Sequence, residues 1–218
     1  MKNSSKQSVK MDMLHGSLLD KILLFAMPLA ACSILQQLFN SVGTAVVGRF
    51  ASSEALAAVG SNSSVIALMV TLFSGISLGC NVVIANYIGQ NDTKRIPRVV
   101  HTAVSLALLS GVFLLILGQF VAHPILLLMG APKDIIHLAT LYLRIYFLGL
   151  PFLFMYNVFS AMFNALGKSR IPLGFLIFSS LFNIVLDYLL VAGAHMGVSG
   201  VAWATLIAQG ISAVLSML

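Results

Sequence analysis

Charged residues are scarce in this chain. Only 8% of its 218 residues are charged, six of them carboxylates, whereas 59% are hydrophobic. The mean hydropathy is +1.01. A soluble domain has roughly 25% charged residues on a surface that faces water. The composition therefore excludes a soluble globular domain and predicts a protein that lies within a membrane.

Cysteines and metal-binding motifs are also few. Cys32 and Cys80 are the only cysteines, and both fall within apolar stretches, where a thiol behaves as a small apolar side chain. The sequence contains no CxxC, no HExxH and no spaced group of histidines. We therefore expect no structural disulfide, no catalytic metal and no cofactor.

Long apolar runs are what the chain has in abundance. Six of them cover residues 22–47, 56–87, 99–122, 135–165, 171–192 and 198–218. Each run can cross a bilayer, because a helical span needs about 20 residues. Strands of a membrane barrel would instead be about 10 residues long with alternating character. The sequence predicts an all-α polytopic membrane protein, with a cytoplasmic segment at 1–21 and six transmembrane helices within 22–218.

The basic residues predict how the helices are oriented. Lys and Arg in short connections stay on the cytoplasmic side. Those before helix 1, between helices 2 and 3, and between helices 4 and 5 are Lys2, Lys6, Lys10, Lys21, Lys94, Arg95, Arg98, Lys168 and Arg170. The opposite connections contain only Arg49 and Lys133. We therefore expect a cytoplasmic N-terminus in the cell membrane, and topology rather than nucleic-acid binding explains the net charge of +6.

One carboxylate stands inside an apolar run. Asp187 lies in the fifth run, with Asn183 one turn earlier, whereas every other acidic residue lies outside the runs. An ionised Asp at the centre of a membrane helix costs roughly 2.5 to 3.5 kcal/mol, so such residues are usually partnered and often move a proton or a cation. Asp187 is thus the first candidate for a cation site. The alternative is that it lies near enough to the outer interface to be hydrated.

Two other helices have polar faces. Gln36, Asn40 and Thr44 repeat at four-residue spacing on helix 1, and Thr205 and Gln209 do so on helix 6. At 1.5 Å per residue, the polar positions of helices 1, 5 and 6 lie roughly 8 to 14 Å below the outer helix ends. This shared depth predicts a polar chamber in the outer half of the bundle, used for a cation or a substrate.

Two further features concern single helices. Arg144 is the other charge within a run, and because it lies near the outer start of helix 4 we expect its side chain to extend to the interface rather than contact a substrate. Gly75 and Gly79 give helix 2 a pair of small residues four apart, which predicts close helix packing at that face.

Several stretches resemble the multidrug and toxic compound extrusion family. They are LQQLFNSVGTAVVGRFASSEALAAVG (35–60), NYIGQNDTKRIPRVVH (86–101), YLRIYFLGLPFLFMYNVFSAMFNALGKSRIPL (142–173) and NIVLDYLL (183–190). The resemblance implies the N-terminal six-helix lobe of a two-lobe transporter rather than an enzyme. It also implies a cation-coupled antiporter, using H⁺ or Na⁺, that exports amphipathic or cationic organic compounds by alternating access.

The resemblance also implies a cation site. Asp187 and Asn183 match the helix 5 residues of that site in the family, and Thr205 matches its helix 6 threonine. The family commonly has a helix 1 aspartate where this sequence has Gly43, so a two-carboxylate site cannot form. Three alternatives follow. Asp187 titrates alone, coupling depends on acids in a second lobe, or transport proceeds without this site.

Length leaves the activity of this chain open. Transporters of the family have about twelve helices, so we expect a missing C-terminal lobe or a second copy as partner. A truncated, non-transporting fragment is the main alternative. A flippase for lipid-linked precursors would need a cationic cavity, and an intramembrane aspartyl protease would need a second acid; the sequence supplies neither.

Overall fold

The chain folds into a bundle of long helices. The computed structural model describes residues 18–90 and 92–217. Their six α-helices are α1 (Leu18–Phe50), α2 (Ser53–Gly89), α3 (Ile96–Leu128), α4 (Ile136–Ala165), α5 (Arg170–Asp187) and α6 (Val198–Met217). A 3₁₀ turn at Thr93–Arg95 precedes α3, and a π-helical segment at Tyr188–Gly193 extends α5. No strand occurs in these ranges, which confirms the predicted all-α fold.

The first three helices are longer than the apolar runs that predicted them. Helix α1 begins at Leu18 rather than at residue 22, and α3 continues to Leu128 rather than to 122. Five helical segments, from α2 to α6, are long and apolar enough to cross a membrane, and the fifth includes the π-helical turn. Helix α1 has 33 residues, more than the roughly 20 that one span requires.

Local sequence signals set several helix ends. Ser52 caps α2, because its side chain accepts a hydrogen bond of 3.2 Å from the backbone N–H of Ala55. After α3 and α4 the backbone turns at Gly130 (φ 72°) and Gly167 (φ 73°). Glycine is the residue that adopts this left-handed conformation without steric cost, so both helices end where the sequence supplies one.

Helix α4 lies at the centre of the bundle. It packs against α3, α6 and α2, and α5 packs against α6 and α1. Leu143, Leu150 and Val158 of α4 are almost completely buried, together with Ile84 of α2 and Leu126 of α3. The interior of this lobe is therefore assembled around α4.

Glycines allow α3 to approach α4 closely. A Cβ atom added at Gly111 would lie 2.6 Å from the Cα of Pro151, and one added at Gly118 would overlap the ring of Phe147. The close packing predicted for Gly75 and Gly79 of α2 does not form within this lobe. Nothing of the described chain comes within 4 Å of a Cβ built at either glycine, because that face of α2 turns away from the bundle.

Two side-chain amides, one buried and one half-buried, join α2 to α4. The side-chain Nδ2 of Asn62 donates to the carbonyl oxygens of Ala58 (2.8 Å) and Ala139 (3.0 Å). Nearer the other end of the helices, Nδ2 of Asn81 donates to the carbonyl of Ala161 (3.2 Å). A buried amide is costly unless it is hydrogen-bonded, so these contacts fix the alignment of the two helices.

Candidate functional site: a buried carboxylate between helices

Asp187 is buried inside the bundle. It is the last residue of α5, its exposed fraction is 1%, and the π-helical segment begins at the next residue. Its Oδ1 atom has no hydrogen-bond partner among the residues that the structure describes. The side chain does not face the lipid, and the alternative of a hydrated interfacial position does not hold. A buried carboxylate oxygen without a donor is stabilised by binding a proton or a cation.

Helix α1 faces this carboxylate at Gly43. A Cβ atom built at Gly43 would lie 3.4 Å from Oδ2 of Asp187, which is ordinary van der Waals contact. The position at which the resemblance implies a second aspartate is therefore directly opposite Asp187. Because glycine stands there, one carboxylate rather than two lies at this contact between α1 and α5.

Two of the predicted polar residues direct atoms into the interior. Asn183 is partly exposed, but its Nδ2 atom is buried without a hydrogen-bond partner in the described part of the chain. On α6, Oε1 of Gln209 is buried and contacts Gly149 of α4, where a side chain would overlap it. Thr205 is partly buried one turn before Gln209.

The predicted stripe on α1 is only partly described. The side chains of Gln36 and Asn40 lie outside the described residues. By helical spacing, both positions share the Gly43 side of α1. Thr44, the third member of the stripe, is exposed. Of the three, only Thr44 is described, and it lies one position after the residue that faces Asp187.

Two tyrosines of α4 were missed by the sequence analysis. Tyr142 and Tyr146 are 6% and 9% exposed, and their rings stack with centroids 6.4 Å apart. Tyr142 lies within electrostatic range of Asp187, and the hydroxyl of Tyr146 lies beside the side chain of Gln209. The available signal was a pair of tyrosines one turn apart in an aliphatic run, since a buried tyrosine hydroxyl requires a polar partner.

The side chains at this position are suited to a proton or a small hard cation. Within the described ranges, no group of three His, Cys, Asp or Glu residues stands together. A cation at Asp187 would therefore take its other ligands from amide, hydroxyl or backbone oxygens. Hard cations prefer oxygen ligands of this kind.

A bundle of membrane-spanning helices around a lone buried carboxylate is typical of ion-coupled membrane transporters. Comparison with known proteins identifies the family. The model of the MatE family matches residues 28–189, which is more than half of the chain. The chain therefore belongs to the MatE family of multidrug and toxic compound extrusion proteins, as the resemblance predicted.

Curated relatives have consistent names. The chain is 34% identical over 188 residues to the probable multidrug resistance protein YoeA of Bacillus subtilis (strain 168), covering 84% of this chain and 41% of that protein. It is 30% identical over 201 residues to the probable multidrug resistance protein YpnP of the same organism, covering 92% of this chain and 45% of that protein. The chain thus spans less than half the length of these relatives.

Solved structures of other proteins have the same fold as this chain. A crystal structure described as MATE in the bent conformation superposes with a TM-score of 0.88 and 26% identity, over 97% of this chain and 47% of that one. The outward-facing conformation of a multidrug resistance MATE family transporter superposes with a TM-score of 0.87 and 25% identity, over the same shares. The six helices therefore correspond to about half of a MATE transporter.

Proposed function

We propose that this chain is one half of a cation-coupled antiporter that exports amphipathic or cationic organic compounds, including drugs, by alternating access. Membership of the MatE family and the multidrug-resistance names of its relatives support export of such compounds. Ion coupling is inferred from the burial of Asp187, one of whose carboxylate oxygens has no hydrogen-bond donor among the described residues. The coupling ion is H⁺ or Na⁺.

The cycle follows from the cost of burying a charge. Binding of H⁺ or Na⁺ neutralises Asp187, which favours the packing in which α1, α5 and α6 enclose it. Release leaves an ionised carboxylate in the interior and favours a packing that lets water reach it. In this proposal Asn183 and Thr205 supply further ligands to the ion. Because Gly43 replaces the second carboxylate, Asp187 alone is neutralised in each cycle.

The substrate binds on the open side of the lobe. We assign its cavity to the polar positions of α1 and α6, which are Gln36, Asn40, Thr44 and Gln209. Helix α2, beside them, is largely exposed in this lobe. A second lobe or a second copy of the chain would cover this side and complete the cavity. The membrane domain is 22–218, with residues 1–21 and the N-terminus on the cytoplasmic side of the cell membrane.

Dye export tests the proposal. The chain and its Asp187→Asn variant are expressed in a host that lacks its own exporters, and the accumulation of a cationic dye is measured. We expect the chain to lower the dye level and the variant to lose most of that effect. Asp134→Asn is the matched control, because Asp134 is an exposed carboxylate in the α3–α4 connection.

Two outcomes would contradict the proposal. If Asp187→Asn exported the dye as well as the unmodified chain, Asp187 would not couple ions to transport. If neither form lowered the dye level while both were present in the membrane, two copies of the chain would not make up an exporter, and the chain on its own would be a non-transporting fragment.

A further inference from the structure

A second set of polar side chains lies outside the Asp187 site, in a groove between the end of α3 and the start of α4. The groove has a volume of about 290 Å³. It is lined by His123, Ile136, His137, Thr140, Leu141 and Arg144. It lies at the end of the bundle opposite the basic α2–α3 and α4–α5 connections. Neither the predicted cation site nor the predicted substrate cavity includes any of these residues.

Helix α4 supplies one continuous face of the groove. His137, Thr140, Leu141 and Arg144 follow the spacing i, i+3, i+4, i+7, which aligns them along one side of a helix. Side chains on a helix tilt toward its N-terminus, so the long Arg144 side chain extends toward His137 at the start of α4. Arg144 and His137 therefore line the same groove from one side of α4.

Helix α3 is held against this face. Nδ1 of His123 lies 3.3 Å from Oγ1 of Thr140, and that hydroxyl donates to the carbonyl of Ile136 at 2.7 Å. One turn earlier on α3, Nε2 of Gln119 donates to the backbone carbonyl of Arg144 at 3.1 Å. The two walls are thus connected by hydrogen bonds, and the groove is a built feature of the fold.

The groove has positive charge without a counterion. Arg144 is always charged, and within the described ranges it makes no ion pair. No carboxylate lines the groove. The nearest acid in sequence is Asp134, exposed in the adjoining connection beside Lys133. An unpaired guanidinium in the same groove as the exposed imidazole of His137 is suited to a phosphate group.

An apolar surface continues from the groove along α3. Ile116, Phe120 and Leu127 share the helical face of His123, and they are 55%, 74% and 55% exposed. Ile136 and Leu141 make the walls of the groove itself apolar. This surface is suited to an acyl chain next to the phosphate, whereas a free inorganic anion would leave it unused.

We propose that this groove binds an anionic phospholipid. Its phosphate contacts Arg144 and His137, with His123 at the side, and one acyl chain lies along Phe120 and Ile116, on the inner side of the groove. Binding at this position links the outer halves of α3 and α4 to the surrounding bilayer. The groove lies between α3 and α4, and none of its lining residues belongs to the proposed cation site or substrate cavity, so the inference does not depend on the proposed transport cycle.

Native mass spectrometry of the full chain in detergent tests the inference. The protein is titrated with phosphatidylglycerol or with phosphatidylcholine of the same acyl composition, and the lipid-bound fraction is measured. We expect phosphatidylglycerol to bind preferentially. Arg144→Gln should weaken that binding roughly tenfold, since it removes a charge-assisted contact. Arg170→Gln, which removes an exposed cation at the start of α5, is the matched control and should bind like the unmodified chain.

A second variant and a competitor complete the test. His137→Gln alters an exposed position and should also weaken phosphatidylglycerol binding, by a smaller factor, with unchanged helicity by circular dichroism. Equal binding of the two lipids, or unchanged phosphatidylglycerol binding in both groove variants, would overturn the inference. Displacement of phosphatidylglycerol by millimolar inorganic phosphate would also overturn it, by assigning the groove to free anions.

Discussion

Helices α4 and α2 are both long apolar spans, yet the lobe uses them in opposite ways. In the apolar stretch of α4 that can cross a membrane, 67% of residues are buried inside the lobe. In the corresponding stretch of α2, 12% are buried. Glycines of α3 and amides of α2 fit closely against α4. A Cβ atom added at any glycine of α2 would meet nothing of the described chain within 4 Å. Apolar character therefore identifies a span, whereas burial shows whether the span is central or faces lipid or another lobe.

Polar residues on the two helices differ in the same way. Asn62 of α2 reaches across to α4, but the exposed hydroxyls of Ser63 and Ser74 donate to their own helix, at the carbonyls of Gly60 and Val70 (2.6 Å each). Hydroxyls satisfied in this way tolerate an apolar environment. The outer face of α2 is thus compatible with lipid and with a second lobe.

Matched leucine substitutions should produce the largest difference in stability between the packed surface of α4 and the exposed face of α2. Gly118→Leu would force a side chain into the ring of Phe147, whereas Gly79→Leu points into open space. We expect a loss of about 3 kcal/mol in the free energy of unfolding for the first variant, because core overpacking is costly. We expect little change for the second. Unfolding in a denaturing detergent measures both, and equal losses would contradict the described packing of α3 on α4.

The buried amide of α2 should matter less than the glycine contact, but more than its exposed hydroxyls. Asn62→Ala removes the hydrogen bonds to Ala58 and Ala139 and should lower the free energy of unfolding by about 1 to 2 kcal/mol. Ser63→Ala, the neighbouring control, should change it by less than about 0.5 kcal/mol. If thermal unfolding showed no difference between these variants, the link from α2 to α4 would not be the one described.

The smallest change in stability is expected on α1, at the glycine that faces Asp187. Gly43→Ala places a methyl group 3.4 Å from Asp187, where there is room for it, and alanine favours a helix by about 1 kcal/mol over glycine. The variant should be slightly more stable, by a similar amount to Gly60→Ala, which has nothing within 4 Å. A clear destabilisation by Gly43→Ala alone would show that α1 lies closer to Asp187 than described.

Much of the fold was predictable, because apolar runs of this length have only one structure available in a bilayer. The helix ends were less predictable, because an apolar run stops at polar residues such as Ser53 and Glu54, whereas the helix includes them. The packing could not be predicted from spacing. Gly75 and Gly79 have the expected pattern but no partner in the lobe, whereas Gly111 and Gly118 form the actual contacts seven residues apart.

The candidate site was predicted in part. A lone acid in an apolar run identified Asp187, because its burial cost demands partners. The contribution of α4 was not predicted, since Tyr142 and Tyr146 look like ordinary members of an apolar run. Helical spacing also failed to distinguish Gly43, which faces the carboxylate, from Thr44, which is exposed. One residue along α1 corresponds to a rotation of about 100° around the helix, so these two neighbours face in different directions.

Gradient-driven dye uptake into proteoliposomes tests the central claim most directly. The reconstituted chain and its Asp187→Asn variant are given an imposed pH gradient or Na⁺ gradient, and dye accumulation above equilibrium is measured. The account predicts accumulation by the unmodified chain under one of these gradients and none by the variant. Equal gradient-driven accumulation by the variant would contradict it.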